Sequence, residues 1–182
     1  TKLIGKIQIK NLIMSILAAY KSNISLKNIL NSIKKIRPVP GRFEKVSNLK
    51  NNSIVILDYA HTPDALRVCL KNLRDQFKLR KINLVFGCGG ERDKPKRKIM
   101  GRIANNYCNK IYLTDDNPRN ENPKKIRNSI IKGCKKLAVN IGSRKKAIKK
   151  AIEALGSNEI LLVAGKGHET TQDYGNKIIN FS

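Results

Sequence analysis

Four short stretches of this 182-residue chain carry side chains suited to chemistry. Gly87-Cys-Gly-Gly-Glu-Arg-Asp93 sets three glycines ahead of an arginine and an aspartate. Glycines let backbone N–H groups approach a ligand closely, and a helix starting just beyond favours an anion. A plain tight turn explains the glycines equally well, but Arg92 and Asp93 tilt the reading toward binding. Asp115-Asp-Asn-Pro-Arg119 gathers three hydrogen-bonding side chains and an arginine around a proline. An arginine held there can clamp a carboxylate in a bidentate fork. The plainer alternative is a solvated loop that leads into a helix. Gly165-Lys-Gly-His-Glu169 offers Glu169 as an acceptor for an ammonium group, with the Gly165 carbonyl open to a ligand. His168 alone reads as a structural histidine. In Asp58-Tyr-Ala-His-Thr-Pro-Asp64, Asp58 could bind a ribose or orient a basic partner, and His61 could approach phosphates. Asp64 suits a helix N-terminus in any case.

The elements around these stretches explain how they could meet. After residue 42 the pattern alternates strand, turn and helix: strands at 53–57, 82–86, 110–114, 138–141 and 159–164, helices at 63–77, 95–107, 122–137 and 143–155. Residues 177–181 read as a last edge strand. Such alternation predicts an α/β fold, a Rossmann-like doubly wound and mostly parallel sheet. Ligands bind at the carboxyl ends of strands in that architecture, and all four stretches fall there. Two helices precede it. Residues 11–20 crowd apolar side chains around much of a helix, which predicts a well-buried one. Residues 26–36 follow, with Ser25 as N-cap. Arg37-Pro-Val-Pro-Gly-Arg42 then marks a linker or domain boundary.

Composition narrows the function classes. Lys and Arg total 38 against 13 Asp and Glu, a formal charge of +25. That balance suits a polyanion, yet Lys outnumbers Arg 27 to 11, and Ile (24) and Asn (20) are also abundant. Lys, Asn and Ile are favoured by AT-rich codons, so the charge reads as surface drift, and no nucleic-acid partner is expected. Aromatic residues are 5% with no Trp, so base-stacking platforms are scarce. No apolar run approaches the ~20 residues of a membrane span, and no membrane partner is expected. Cys69, Cys88, Cys108 and Cys134 form no CxxC pair, and neither His61 nor His168 lies at zinc-ligand spacing from them. A reduced cytoplasmic setting is the default. GxxxxGK[ST] occurs nowhere in the chain.

Taken together, the motifs resemble the Mur ligase family, and within it the members that add diaminopimelate. The resembling stretches are Pro38-Val-Pro-Gly-Arg42, Asp58-Tyr-Ala-His-Thr-Pro-Asp64, Val85-Phe-Gly-Cys-Gly-Gly-Glu-Arg-Asp-Lys94, Thr114-Asp-Asp-Asn-Pro-Arg119 and Val163-Ala-Gly-Lys-Gly-His-Glu169. They stand in family order and spacing. The resemblance implies that residues 1–36 end a central ATP-binding domain, that 37–42 are a linker, and that 43–182 are a C-terminal amino-acid-binding domain. It also implies that an N-terminal domain and most of the ATPase domain lie outside the chain. The magnesium ligands lie with them, so no metal site is expected here. The start at Thr1 without Met fits such a cut, and the chain stops just short of the last family helix.

The implied reaction uses ATP and Mg2+ to phosphorylate a carboxylate of UDP-N-acetylmuramoyl-dipeptide. The amine of meso-diaminopimelate then attacks the acyl phosphate, and an amide forms in peptidoglycan synthesis. By resemblance, Arg92, Asn117 and Arg119 hold the carboxylate of the unreacted amino-acid end, and Gly165 and Glu169 receive its ammonium. Asn11, Arg42 and Asp58 match positions that reach the nucleotide, and His61 one near the phosphates. Gln8 replaces a usual Asn on the adenine side. The chain alone is expected to be inactive. The competing readings are a Mur-type ligase for another acceptor, such as L-lysine, and a basic nucleic-acid-binding module.

Overall fold

A computed structural model of the chain describes residues 3, 5–49, 51–135 and 138–181. Its centre is a six-stranded sheet: β1 (Glu44–Asn48), β2 (Ile54–Asp58), β3 (Ile82–Phe86), β4 (Lys110–Leu113), β5 (Val139–Asn140) and β6 (Ile160–Ala164). The strand order is β1-β2-β6-β3-β4-β5. Only β1 runs antiparallel, along β2; the remaining pairs are parallel.

Burial on both faces explains the strand sequences. Ile82–Phe86 and Ile160–Ala164 are apolar at nearly every position and buried throughout, as both-sided burial of a parallel sheet requires. Alternate residues serve opposite cores. Ile54, Ile56, Leu84, Phe86, Leu162 and Ala164 pack against helices α3 (Pro63–Gln76), α4 (Pro95–Tyr107) and α5 (Pro123–Ile131). Val55, Val85, Tyr112, Leu161 and Val163 pack against α6 (Arg144–Glu153) on the other face. The topology demands this split. Crossovers of one hand from β3 to β4 to β5 place their helices on one face, and the return to β6 in mid-sheet places its helix on the other.

Local signals set the helix starts. Thr62 accepts a hydrogen bond from the Ala65 N–H, and Pro63 opens α3. Asn122 caps α5 through Lys124 and Lys125, and Ser143 caps α6 through Lys146. These are the expected roles of such residues at N-caps and first turns.

Several expectations need correction. The first helix, α1, spans Lys6–Lys21, more than the 11–20 expected, and it has no buried residue. Ile9, Ile13, Met14, Leu17 and Tyr20 lie exposed, and α1 packs on α2 and beside Phe43 without burying that apolar face. The second helix, α2 (Leu26–Ile33), ends three residues before Ile36, and Ser25 caps it as expected. Two strands escaped the sequence reading. Strand β1, with Lys and Ser on a half-exposed edge, lacks the apolar run of a central strand. Residues Thr171–Asp173 form β7, which pairs with β8 (Ile178–Asn180) in a separate antiparallel hairpin. Residues 177–181 therefore do not edge the main sheet. Helix α5 ends at Ile131, and the expected end at Leu137 lies outside the described residues.

Candidate functional site

Sheet register brings the four motif loops together. Asp58 pairs with Ala164, Val85 with Val163 and Phe86 with Leu113. The loops after β2, β3, β4 and β6 therefore leave the sheet at one level. Two glycines allow close stacking of these loops. A Cβ on Gly90 would run into the Pro118 carbonyl, and one on Gly87 into that of Thr114. The Gly90 N–H donates to the Asn117 carbonyl at 2.8 Å, stitching the loop after β3 to that after β4.

Arg119 is set by its backbone. Its φ is +51°, and its N–H donates to the Asp173 carbonyl at 3.0 Å. The guanidinium donates through Nη1 to the carbonyls of Gly90 (2.9 Å) and Asn117 (3.3 Å). Its Nε stands 3.7 Å from the Asp173 carboxylate, so one face is braced and a quarter of the side chain stays exposed. Arg92 is exposed and makes no ion pair or hydrogen bond with the described residues. The two arginines flank Gly89: a Cβ there would sit 3.1 Å from Arg119 Nη1 and 3.8 Å from Arg92 Cγ. A braced guanidinium and a second, unpaired arginine whose stem starts beside the same glycine suit the two oxygens of a carboxylate.

The braces lie deeper. Arg97, 4% exposed at its side chain, forks onto both Glu121 oxygens at 2.9 Å. It also donates to the Gly89 carbonyl at 3.2 Å, while Glu121 accepts from the Glu91 N–H at 2.6 Å. The Arg97 hydrogen bond pulls the Glu121 carboxyl down to about 2. Of the paired aspartates, Asp115 is structural. It forms an ion pair with Arg127 and accepts from the Tyr174 hydroxyl. Gln172 ties its carbonyl, and that of Asp116, to β7.

The other half of the rim is acidic. Gly165 holds φ +112°, and a Cβ on it would lie 2.9 Å from Asp116 Oδ2. That Asp116 oxygen is buried without a hydrogen-bond partner. Glu169 Oε2 accepts from the Lys166 ammonium at 2.7 Å and from Asn117 Nδ2 at 3.4 Å. Burial raises the Glu169 pKa, but Lys166, Asn117 and the Tyr59 hydroxyl outweigh it, and the net direction is down. Beneath the loop, Arg144 is 1% exposed and donates through Nη2 to the Ala164 carbonyl at 2.8 Å. Burial lowers its pKa, while Asp116 and Glu169 oppose that shift.

Asn11, Arg42 and Asp58, the three residues expected at the nucleotide, line one cavity of about 500 Å3. Gln8, Phe43, Val68, Cys69 and Asn72 share its walls. Gln8 donates to the Arg42 carbonyl at 2.8 Å and so ties α1 to the linker. Asp58 accepts from the N–H groups of Phe43 (2.7 Å) and Ala60 (2.8 Å). Burial raises its pKa, against those hydrogen bonds and the charge of Arg42. His61 is exposed and is not among the residues that line this cavity. Its Nδ1 lies 2.9 Å from the Tyr59 carbonyl, which demands a proton on Nδ1 and leaves Nε2 outward. The Tyr59 ring joins the two halves: Arg42 stacks over it at 4.4 Å, and both His61 and His168 pack on it. A larger groove of about 920 Å3, beside the β7–β8 hairpin, is lined by none of the expected residues.

Sequence reasoning missed Lys166, Tyr59, Asp116, Arg144 and the Arg97–Glu121 pair. Three of these stood inside quoted motifs, Lys166 between two glycines, Asp116 beside Asn117 and Tyr59 after Asp58. A lysine among 27 gives no sign of burial, and only the fold distinguishes it.

Comparison with known proteins follows the same lines. Residues 41–167 match the family model described as Mur ligase, glutamate ligase domain. The chain is 42% identical over 183 residues to the UDP-N-acetylmuramoyl-L-alanyl-D-glutamate–2,6-diaminopimelate ligase of Rickettsia bellii (strain RML369-C), covering 100% of this chain and 38% of that protein. It is 44% identical to the protein of the same name from Buchnera aphidicola subsp. Acyrthosiphon pisum (strain APS), covering 99% of this chain and 36% of that one. A solved structure of a ligase of that name superposes with a TM-score of 0.74 at 34% identity, over 99% of this chain and 37% of its own. Folylpolyglutamate synthase from Thermotoga maritima shares the fold, with a TM-score of 0.67 at 23% identity, over 90% of this chain and 36% of its own. The chain thus spans less than two fifths of the length of these relatives. With the model matched over most of its residues, the chain belongs to the Mur ligase family and carries that family's glutamate ligase domain.

Proposed function

We propose that this chain is the acceptor-binding part of an ATP-dependent ligase that joins meso-diaminopimelate to UDP-N-acetylmuramoyl-L-alanyl-D-glutamate. The observation that carries this reading is the contiguous row Arg119, Asn117, Glu169. Arg119 Nη1 reaches the Asn117 carbonyl at 3.3 Å, and the Asn117 amide reaches Glu169 at 3.4 Å. A carboxylate and an ammonium borne on one carbon fit a row that runs from guanidinium through amide to carboxylate. Arg92 completes the cationic end, and Gly165, beside the buried Asp116 oxygen, completes the anionic end. The names of the relatives supply the acceptor and the joined dipeptide.

On this reading, residues 1–36 belong to a neighbouring nucleotide-binding domain, 37–42 link it, and 43–182 form the acceptor domain. Asn11, Arg42 and Asp58 face the adenosine of ATP, and the outward Nε2 of His61 faces its phosphates. Bound ATP supplies the phosphoryl group that activates the dipeptide carboxylate. The residues of this chain hold the acceptor so that its free amine points at that carboxylate, and orientation of this kind accounts for much of a ligase's rate. Among the described residues no group of three His, Cys, Asp or Glu side chains could hold a metal ion. No described helix is long and apolar enough to cross a membrane. The reading places the enzyme in the cytoplasm, where nucleotide-linked precursors are made.

Arg119→Ala in the full-length ligase is the test. A charge-assisted hydrogen bond in a desolvated site contributes about 1.5–3 kcal/mol. The variant is predicted to lose about ten- to a hundredfold in kcat/KM for diaminopimelate, with the KM for ATP unchanged. Unchanged acceptor kinetics would remove the clamp assignment.

A further inference from the structure

Lys166 has an unusual position for a lysine. Its side chain is 1% exposed, and its ammonium has two acceptors, Asn117 Oδ1 at 2.8 Å and Glu169 Oε2 at 2.7 Å. We infer that Lys166 is a positioning residue that sets acceptor selectivity, by fixing which edge of the Asn117 amide meets the ligand and by aiming the Glu169 carboxylate. This inference rests on the acceptor-binding reading above and adds a residue to it.

The Asn117 amide decides the argument. Its Oδ1 accepts from Lys166 Nζ and from the Asp173 N–H at 3.0 Å, so both lone pairs are used. Its Nδ2 is left to face Glu169 and the open rim. Turning the amide over would set an NH2 group against an ammonium and a backbone N–H, donor against donor on both contacts. With Lys166 in place, Asn117 can only donate toward the ligand. A donor suits a carboxylate and repels an ammonium. Diaminopimelate carries a carboxylate at its unreacted end, whereas lysine carries an ammonium without one. The orientation that Lys166 imposes together with the Asp173 N–H is therefore itself a selectivity device, because a site whose polar groups are mismatched rejects the analogue strongly.

Lys166 acts on Glu169 as well. The groups that face this carboxylate are Lys166 on its own loop, Tyr59 at the end of β2, Asn117 after β4 and Arg144 at the start of α6, and Asp116 acts on the same Tyr59 and Arg144. His61 and His168 flank Tyr59. Lys166 is the cation in direct contact, and with its hydrogen bond it keeps Glu169 ionised below the ordinary carboxylate range. Removing that cation moves Glu169 upward. Binding of an ammonium then fails at a higher pH than in the native protein.

The experiment compares full-length wild type, Lys166→Met and Lys166→Gln, each with diaminopimelate and with lysine. Wild type should favour diaminopimelate. In Lys166→Met the ratio of kcat/KM for the two acceptors should fall about ten- to a hundredfold, while the KM for ATP stays within twofold. Lys166→Gln leaves an N–H donor for Asn117 Oδ1 and no buried acceptor stranded, so it is the variant safer for folding. It should recover most of the ratio and still show diaminopimelate binding that weakens at higher pH than in wild type. Combining Lys166→Met with Asn117→Ala should add little to the loss of ratio from Asn117→Ala alone. An unchanged ratio in folded Lys166→Met, or equal loss for both acceptors, would overturn the inference. A wild-type enzyme without preference for diaminopimelate would instead overturn the acceptor reading itself.

Discussion

At the scale of single residues, the candidate site works by holding cations where their charge is used. Arg119 keeps a quarter of its side chain exposed while deeper groups carry its loop, and the Arg97–Glu121 fork is chief among them. Arg97 grips the Gly89 carbonyl and Glu121 the Glu91 N–H, so one ion pair fixes the loop that bears Arg92 against the loop that bears Arg119. Glu121 is held at about 2, against an ordinary value of 4.5. A carboxyl depressed on folding contributes stability that is complete above its unfolded value and is lost as pH falls toward the folded one. The native chain should therefore lose stability between about pH 4.5 and pH 2 through this group. Glu121→Gln should lower stability near neutral pH by roughly 1.5–3 kcal/mol, the range for hydrogen bonds to charged groups. It should also flatten that part of the acid limb. Urea unfolding of both proteins at several pH values measures this, and parallel acid limbs would refute the role of Glu121.

At the scale of elements, helices were more legible than strands. Ser25, Thr62 with Pro63, Asn122 and Ser143 all announced helix starts, because their side chains make the cap bonds locally. β1 and β7 were not legible, since neither has an apolar run, and each exists through a partner elsewhere in the chain. Helix α4 offers a test of tertiary override. Gly101 lies inside it, where alanine would ordinarily gain about 1 kcal/mol in helix propensity. Its missing Cβ is the space taken by the Ile130 carbonyl of α5, and Gly133 makes the matching approach to Lys98. Gly101→Ala should therefore destabilise the fold by roughly 1–3 kcal/mol, the cost of overpacking, instead of stabilising it. A thermal unfolding midpoint at or above wild type would show that α4 and α5 do not pack this closely.

At the scale of the whole molecule, two features of the composition resolve differently. The charge of +25 has no counterpart at the candidate site, where few charges act: Arg92, Arg119, Lys166 and Arg144 against Asp116 and Glu169. The apolar α1 was expected to be buried and is exposed along Ile9, Ile13, Met14 and Leu17. Periodicity shows that a helix face is apolar but not what covers it. The motif loops were legible as a set, because an α/β sheet must deliver them to one rim. Their internal wiring was not, because Lys166 and Arg144 look like any surface cation until burial is known. The central claim is that this rim receives an amino-acid end bearing a carboxylate as well as an ammonium. The most direct measurement offers the full-length ligase equimolar diaminopimelate and lysine, with ATP and the UDP-linked dipeptide, and identifies the products by mass. The account predicts that the diaminopimelate adduct dominates by at least about a hundredfold, as a carboxylate clamp left without its partner requires. Equal adducts, or a dominant lysine adduct, would contradict it.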